Sequence, residues 1–297
     1  MTDILIIGGG PAGLSTAIYA KRAGFSVTVI DKGAADCQLA KAADVENYLG
    51  FPSINGLDLH TQFIEHVKKM EIPIIRKAVV SVEKTDIGFK VHTKKDELEC
   101  KHLILAMGRS HRHLGVEGED RFAGVGVSYC ATCDGFFFKN KTVCVIGGGD
   151  SALSQAIYLS SICEKISIIH RRDTFRAAKY LVDKASAISN IEFVYNAKAV
   201  EIIGDASVKV LKLTVNDQPI TIECNGIFVA IGEKPNMSFE INGLDTTANG
   251  QIITDNYCRT SIKNLYAVGD IREREVYQII TAVADGALVI EGILKNQ

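Results

Sequence analysis

The residues of this chain best suited to chemistry are two cysteines three positions apart, Cys130 and Cys133, in the stretch Y-C-A-T-C-D-G-F-F-F. With Asp134 directly after the second cysteine, the pair fits a redox disulfide, half of a zinc site or two structural thiols. A zinc site requires a second C-x-x-C or a histidine pair at ligand spacing, and the sequence contains neither. Redox chemistry is therefore favoured over a metal, no metal site is predicted, and structural thiols remain the alternative.

A glycine-rich turn at residues 8–13, G-G-G-P-A-G, stands between the strand pattern D-I-L-I-I and a helix pattern. The next strand pattern, S-V-T-V-I-D, ends in Asp31. Such a G-x-G-x-x-G turn binds the pyrophosphate of a dinucleotide, because glycines admit the ligand and the helix N-terminus is partly positive. We expect Asp31 to accept hydrogen bonds from ribose hydroxyls. A purely structural turn is the alternative.

The same plan recurs at 141–170, where K-T-V-C-V-I leads into G-G-G-D-S-A at 147–152. The returning strand pattern ends in His170-Arg171-Arg172, with Arg176 further on, instead of in an acid. Guanidinium groups bind the 2′-phosphate that a carboxylate would repel. The second turn is therefore predicted to bind NADP(H) rather than NAD(H), and a solvated surface cluster is the alternative.

Each of the two units continues into strand-like segments that end in a buried strand and a glycine, at Gly108 and Gly232. The residues after 238 contain no third nucleotide turn and are too few to fold alone, so we expect them to complete the first domain. The predicted fold class is α/β, with two Rossmann-like dinucleotide-binding domains of three-layer ββα build, the second inserted in the first. The predicted bounds are 1–112 with 240–297 for the first domain and 113–239 for the second, which carries the C-x-x-C.

Composition excludes several classes of function. The 297 residues carry a net charge of −2, so no basic field for nucleic acid is expected. The N-terminus lacks the basic region of a signal peptide, and no apolar run of about 18 residues suggests a membrane span. The chain is expected to be cytoplasmic. Five of the remaining cysteines, Cys100, Cys144, Cys163, Cys224 and Cys258, are interpreted as small buried hydrophobic residues.

Several longer runs carry a resemblance that covers essentially the whole chain. They include D-V-E-N-Y-L-G-F-P, C-A-T-C-D-G, H-R-R-D-T-F-R and A-V-G-D-I-R. With the two glycine turns they make the chain resemble the low-molecular-weight thioredoxin reductases. The resemblance implies an FAD-dependent thioredoxin-disulfide reductase, in which NADPH passes a hydride to FAD and the flavin reduces the disulfide. Cys133 would face the flavin, Cys130 would attack the disulfide of a thioredoxin or a thioredoxin-like partner, and Asp134 would transfer protons.

The resemblance further implies a homodimer, a rotation of the inserted domain, and two sets of cofactor-binding residues. The FAD set is Gly8, Gly10, Pro11, Ala12, Gly13, Asp31, Gln38, Leu39, Asn47, Gly108, Asp270, Gln278 and Ile279. The NADPH set is Gly149, Asp150, Ser151, Ala152, His170, Arg171, Arg172, Arg176, Ile231 and Gly232.

Four places depart from the family pattern: Asp36-Cys37, Met107, Ser154-Gln155 and Tyr277. The last two lie where the nicotinamide half of NADPH would approach, and they weaken the NADPH inference more than the FAD or disulfide inference. A reductase of the same fold that uses ferredoxin or another donor is therefore one alternative. A flavin redox sensor without turnover is another. The H-R-R-x-x-x-R run argues against a dithiol oxidase, which needs no NADPH site.

Overall fold

The computed structural model describes residues 1–33, 37–42 and 45–295, so that Asp36 lies outside the described residues. The chain forms two compact units, Met1–Ser110 with Lys234–Gln297, and His111–Glu233. The second unit is thus inserted between the two segments of the first.

The first segment contains the elements that hold the first glycine turn. They are β1 (Thr2–Ile7), α1 (Pro11–Arg22), β2 (Val27–Asp31), α2 (Gln38–Lys41), α3 (Gly56–Lys69), β3 (Ile74–Arg76), β4 (Val79–Lys84), β5 (Phe89–Thr93), β6 (Glu97–Leu105) and β7 (Arg109–His111).

The inserted segment contains the C-x-x-C and the second glycine turn. Its elements are β8 (Val127–Ser128), α4 (Ala131–Asp134), a 3₁₀ helix (Gly135–Phe138), β9 (Thr142–Gly147), α5 (Asp150–Ser160), β10 (Lys165–Ile169), α6 (Lys179–Ser186), β11 (Ile191–Val194), β12 (Ala197–Gly204), β13 (Val208–Val215), β14 (Gln218–Glu223), β15 (Gly226–Ala230) and β16 (Glu233–Pro235). The last segment contains β17 (Leu265–Ala267), a second 3₁₀ helix (Gly269–Ile271) and α7 (Ile279–Leu294).

The sheet of the first unit has the order β3-β2-β1-β6-β5-β4, and β17 also pairs with β6. Strands β3, β2, β1, β6 and β17 run parallel, whereas β4, β5 and β6 form an antiparallel meander. The strand β6 belongs to both parts: its first half pairs with β5 and its second half with β17. The C-terminal segment therefore completes the parallel sheet that begins at the N-terminus.

The second unit repeats this plan with separate sheets. A parallel sheet has the order β11-β10-β9-β15-β8, and an antiparallel sheet has the order β12-β13-β14. One hydrophobic core joins the parallel sheet to α5 and α6, and another joins its other face to the antiparallel sheet. In the first unit, one core likewise lies against α1 and α7, and another includes Phe89 and Val91 of β5.

The predicted fold class is confirmed: each unit is a three-layer arrangement around a parallel sheet, and the second is inserted in the first. The boundaries between the units fall at 110/111 and 233/234, whereas the sequence predicts them at 112/113 and 239/240. Among the helices that the structure describes, none has the length and apolar character needed to cross a membrane.

Candidate functional site

Cys130 and Cys133 form a disulfide at a single helical turn, α4, with their Cα atoms 5.3 Å apart. The backbone N–H groups of Cys133 and Asp134 donate to the Cys130 carbonyl oxygen at 3.2 and 3.1 Å. The hydroxyl oxygen of Ser128 accepts a hydrogen bond from the Cys130 N–H at 3.1 Å. One local turn therefore brings the two sulfur atoms together, as the three-residue spacing allows. The pair is a disulfide rather than two separate structural thiols.

The other cysteines are reduced, and all except Cys37 are buried. Burial raises the pKa of the Cys100 thiol to about 12 and that of the Cys163 thiol to about 11. Such thiols stay protonated at neutral pH and are poor nucleophiles. The interpretation as buried hydrophobic residues holds for Cys100, Cys144, Cys163, Cys224 and Cys258, whereas Cys37 is half-buried.

The Asp134 carboxyl ends the redox turn, and the hydroxyl of Ser128 donates a hydrogen bond of 2.6 Å to its Oδ2. Burial raises the pKa of this carboxyl, and the hydrogen bond from Ser128 opposes the effect. A carboxyl that holds its proton more firmly than usual is suited to general acid and base chemistry near neutral pH. Asp134 therefore has both the sequence position and the environment of a proton-transfer group.

The first glycine turn leaves room for a ligand at one position and none at two others. A Cβ atom on Gly8, where φ is +117°, would lie 2.3 Å from the Ala106 carbonyl oxygen. A Cβ on Gly13 would lie 2.0 Å from the Gly8 carbonyl oxygen, so α1 packs directly on the turn. A Cβ on Gly10 would meet no atom within 4 Å, and Gly10 caps α1 without a side-chain hydrogen bond. Pro11 and Ala12 then begin the helix, whose first turn has N–H groups without intrahelical acceptors.

Asp31, at the end of β2, is bonded to the turn that precedes α1. Its Oδ1 accepts from the Gly9 N–H at 2.9 Å and its Oδ2 from the Gly33 N–H at 2.7 Å. Each carboxylate oxygen has a further lone pair. Asp31 can therefore hold the loop and still accept a hydrogen bond from a ribose hydroxyl.

Several residues predicted to bind FAD lie close together in the first unit. Asn47 Nδ2 donates to Gln278 Oε1 at 3.1 Å, although the two residues are far apart in sequence. Gln38 donates from its side chain to the Arg109 carbonyl oxygen, and the Arg109 guanidinium lies 3.3 Å from the centroid of the Tyr277 ring. Tyr277, a departure from the family pattern, is therefore part of the same cluster. Of the other predicted residues, Leu39 is buried in α2, Gly108 follows β6 with φ +64°, and Ile279 begins α7.

A buried carboxylate that the sequence analysis missed fixes the turn that carries Asp270. Asp285 is 0% exposed, and its Oδ2 accepts from the Gly269 N–H at 2.7 Å. Arg272 donates to both oxygens at 2.9 and 3.0 Å, and Arg274 donates to Oδ1 at 2.8 Å. The signal was an acid within the otherwise apolar run Y-Q-I-I-T-A-V-A-D-G-A-L-V-I. An unpaired carboxylate is too costly to bury there, so the residue had to have a cationic partner.

The second glycine turn repeats the first and is closed on one side by a histidine. A Cβ on Gly149 would meet no atom within 4 Å, whereas a Cβ on Gly148 would lie 2.0 Å from His170 Cε1. The His170 ring lies 5.0 Å from the Phe175 ring, and its Nε2 donates to the Thr174 carbonyl oxygen at 2.9 Å. Burial lowers the pKa of His170. The imidazole is therefore neutral at physiological pH and shapes the loop.

The positive charge of this loop comes from Arg171, Arg172 and Arg176, which are all exposed. Within the part of the chain that the structure describes, none of the three forms an ion pair. The Arg176 N–H donates to the Gly148 carbonyl oxygen at 2.8 Å, which ties the arginine loop to the glycine turn. Three uncompensated guanidiniums beside a dinucleotide turn fit a phosphate group.

The remaining predicted nucleotide residues lie at the same end of the parallel sheet. Asp150 begins α5, and its Oδ1 accepts from the Ala178 N–H at 2.7 Å. Ser151 is exposed and Ala152 is buried in the first turn of that helix. Ile231 and Gly232, where φ is +103°, follow β15. The open Cβ positions at Gly10 and Gly149, each at a helix start without a side-chain cap, fit the pyrophosphates of a flavin and a pyridine nucleotide.

Comparison with known proteins agrees with this geometry. The family model of the pyridine nucleotide-disulphide oxidoreductases matches residues 2–286. A curated thioredoxin reductase of Listeria monocytogenes is 37% identical over 296 residues, with 99% of this chain and 93% of that protein covered. For a curated thioredoxin reductase of Mycoplasma genitalium, the identity is 38% over 295 residues, with 97% and 93% covered.

Among solved structures, a thioredoxin reductase from Streptococcus pyogenes matches with a TM-score of 0.94 and 38% identity. The match covers 99% of this chain and 97% of that one. The similarity therefore extends over both units and the C-terminal segment.

Proposed function

The chain belongs to the pyridine nucleotide-disulphide oxidoreductase family and is a disulfide reductase of the thioredoxin reductase type, and we propose that it uses FAD and NADPH to reduce a thioredoxin-like protein. The observation that carries this proposal is the presence, in one compact unit, of the Cys130–Cys133 disulfide and a dinucleotide turn flanked by three uncompensated arginines. When bound, the two cofactors supply two-electron chemistry, with a hydride from the nicotinamide and a flavin that relays the electrons.

The residues of the chain then have separate tasks. Gly10 and the start of α1 bind the FAD pyrophosphate, and Asp31 orients its ribose. Gln38, Asn47 and Gln278 form the polar lining for the flavin ring. Gly149 binds the pyrophosphate of NADPH, and Arg171, Arg172 and Arg176 bind its 2′-phosphate through charge-assisted hydrogen bonds.

The disulfide takes up two electrons and two protons and becomes a dithiol. Cys130, as a thiolate, attacks the disulfide of the partner, which forms a mixed disulfide and releases one partner thiolate. Cys133 then attacks Cys130, which restores the Cys130–Cys133 disulfide and releases the second partner thiolate. Asp134 holds the proton that must leave one sulfur and reach another during this exchange. The fully reduced partner and the oxidised enzyme are the products.

An anaerobic titration of the purified flavoprotein with NADPH and, in parallel, with NADH tests the donor. We expect NADPH to bleach the visible flavin absorbance at a far lower concentration than NADH. A variant with Arg171, Arg172 and Arg176 all replaced by alanine should lose this preference and keep its response to dithionite. If neither nucleotide bleaches a flavin that dithionite reduces, NADPH is not the donor, and reduced ferredoxin is the next donor to test.

Turnover tests the acceptor. The parent should reduce many equivalents of thioredoxin, and Cys133→Ser should retain the flavin without turnover. A parent that stops after one equivalent would be a redox sensor rather than an enzyme. The homodimer is part of this proposal and is tested by sedimentation of the holoenzyme. The cytoplasmic location stays a prediction.

A further inference from the structure

Gln155, on α5, contacts the redox turn through its side-chain amide. Its Oε1 accepts a hydrogen bond from the Ala131 backbone N–H at 3.2 Å, and its Nε2 donates to Ser151 Oγ at 3.3 Å. A backbone N–H can only donate, which fixes the amide with its oxygen towards Ala131. The side chain therefore bonds to both the redox turn and the first turn of the nucleotide-binding helix.

Ala131 is the first residue of α4, between the N-cap Cys130 and the rest of the C-x-x-C. It is 1% exposed, so its N–H has little access to water. A buried N–H without an acceptor costs roughly as much as a lost hydrogen bond. Because Gln155 supplies the acceptor, it stabilises the start of the turn in the disulfide form that the structure contains.

The other end of the redox turn also lies on α5. A Cβ atom on Gly135, directly after Asp134, would lie 3.0 Å from Leu159 Cδ2 and 3.3 Å from Tyr158 Cε1. The polypeptide after the disulfide therefore leaves no room for a side chain against α5, one turn beyond Gln155. The hydrogen bond and this close approach are four residues apart on both segments, and together they fix the direction of the C-x-x-C turn on this helix.

We propose that Gln155 is a positioning residue for the Cys130–Cys133 couple: its amide oxygen holds the first N–H of the redox turn on α5 and thereby stabilises the disulfide relative to the dithiol. The proposal rests on the proposed function only in taking these two cysteines as the redox couple. Reduction breaks the bond between the two sulfur atoms and adds two electrons and two protons, which dithiothreitol supplies as it closes to its own cyclic disulfide. No nucleotide or protein partner is needed for this equilibrium.

The test is to equilibrate the holoenzyme in graded mixtures of oxidised and reduced dithiothreitol and to quantify alkylated Cys130 and Cys133 by mass spectrometry. Gln155→Ala removes the acceptor, and Gln155→Glu retains an oxygen at the same distance along the side chain. Ser154→Ala, a change at the exposed neighbour on α5, is the matched control. We expect Gln155→Ala to shift the equilibrium constant towards the dithiol by about fivefold, the equivalent of one hydrogen bond. Gln155→Glu should lie closer to the parent, and Ser154→Ala should equal it.

An alanine variant with the equilibrium constant of the parent would overturn the proposal. So would equal shifts in the alanine and glutamate variants, since the oxygen acceptor would then not matter. A parent whose cysteines do not exchange with dithiothreitol at all would contradict the proposed function, whereas normal exchange with no effect of Gln155→Ala would contradict only the role of Gln155.

Discussion

Replacement of Asp134 by asparagine is expected to make the protein more stable at neutral pH and slower as a reductase. Burial raises the pKa of the Asp134 carboxyl, and the hydrogen bond from Ser128, 2.6 Å long, opposes the effect. The charged form is therefore destabilised in the folded protein. Asparagine has nearly the same shape and keeps an oxygen for the Ser128 hydroxyl, but it neither bears a charge nor transfers a proton.

The sign of the pH dependence follows from the direction of that pKa shift. A carboxyl with a higher pKa in the folded than in the unfolded protein contributes stability below its unfolded value of 3.8, and the contribution is lost as the pH rises through the folded pKa. Within this window the free energy of unfolding of the parent falls, relative to that of Asp134→Asn, by up to about 1.4 kcal/mol per pH unit. Above the folded pKa the difference keeps its full value.

Urea unfolding of the parent and of Asp134→Asn from pH 4 to pH 8 measures this difference, and thioredoxin turnover at neutral pH measures the cost in activity. We expect turnover to fall by about 100-fold or more, the lower end of the range for loss of a general acid or base. Ser128→Ala is the matched control: it removes the opposing hydrogen bond and should extend the window to higher pH. Stability curves that stay parallel at all pH values would refute the reasoning, as would a variant that loses stability together with activity.

Three further predictions concern the cofactor-binding elements. Asp285→Ala leaves two largely buried guanidiniums without their carboxylate and should lower the free energy of unfolding by about 3–5 kcal/mol in urea titrations; a loss under 1 kcal/mol would contradict this. Gly13→Ala should destabilise the apoprotein by at least about 1–3 kcal/mol, since its Cβ would lie 2.0 Å from a backbone oxygen, whereas Gly10→Ala should melt like the parent yet retain less flavin. Equal melting of the two glycine variants would argue against that geometry. The double variant Arg172→Ala with Arg176→Ala should raise the Kd for NADPH by about 100-fold or more and leave that for NADH unchanged in calorimetric titrations, because two charge-assisted hydrogen bonds of about 1.5–3 kcal/mol each are lost. A parallel loss for NADH would mean that the loop had collapsed.

The features predicted correctly from the sequence depend on residues close together in the chain. Cys130 and Cys133 are three apart, so one turn suffices to join them. The glycine turns were recognisable because the lack of a Cβ is a property of the residue itself, and Gly8 and Gly13 are glycines for that reason. The doubled plan of strand, glycine turn and helix predicted two similar units and the return of the last segment to the first.

Other features required the folded chain, because they join residues that are distant in sequence. Asp285 meets Arg272 and Arg274 only when α7 packs beside the turn at Gly269. Asn47 and Gln278 form a hydrogen bond although most of the chain separates them in sequence. No periodicity or motif specifies which buried acid faces which arginine, since that distance depends on the packing of whole elements.

His170 and Gln155 show the same limit for residues that a motif does contain. The sequence indicated a cationic run at 170–172, but only the fold reveals that the His170 ring is buried against Gly148 and neutral, so that the arginines alone carry the charge. Gln155 was notable in sequence only as a departure, and its bond to Ala131 depends on α4 lying against α5. Residue type and spacing thus determined the class of chemistry, because both are local. Burial and non-local contacts decided which groups are charged, protonated or held in place, because solvent access and distance exist only in the folded chain.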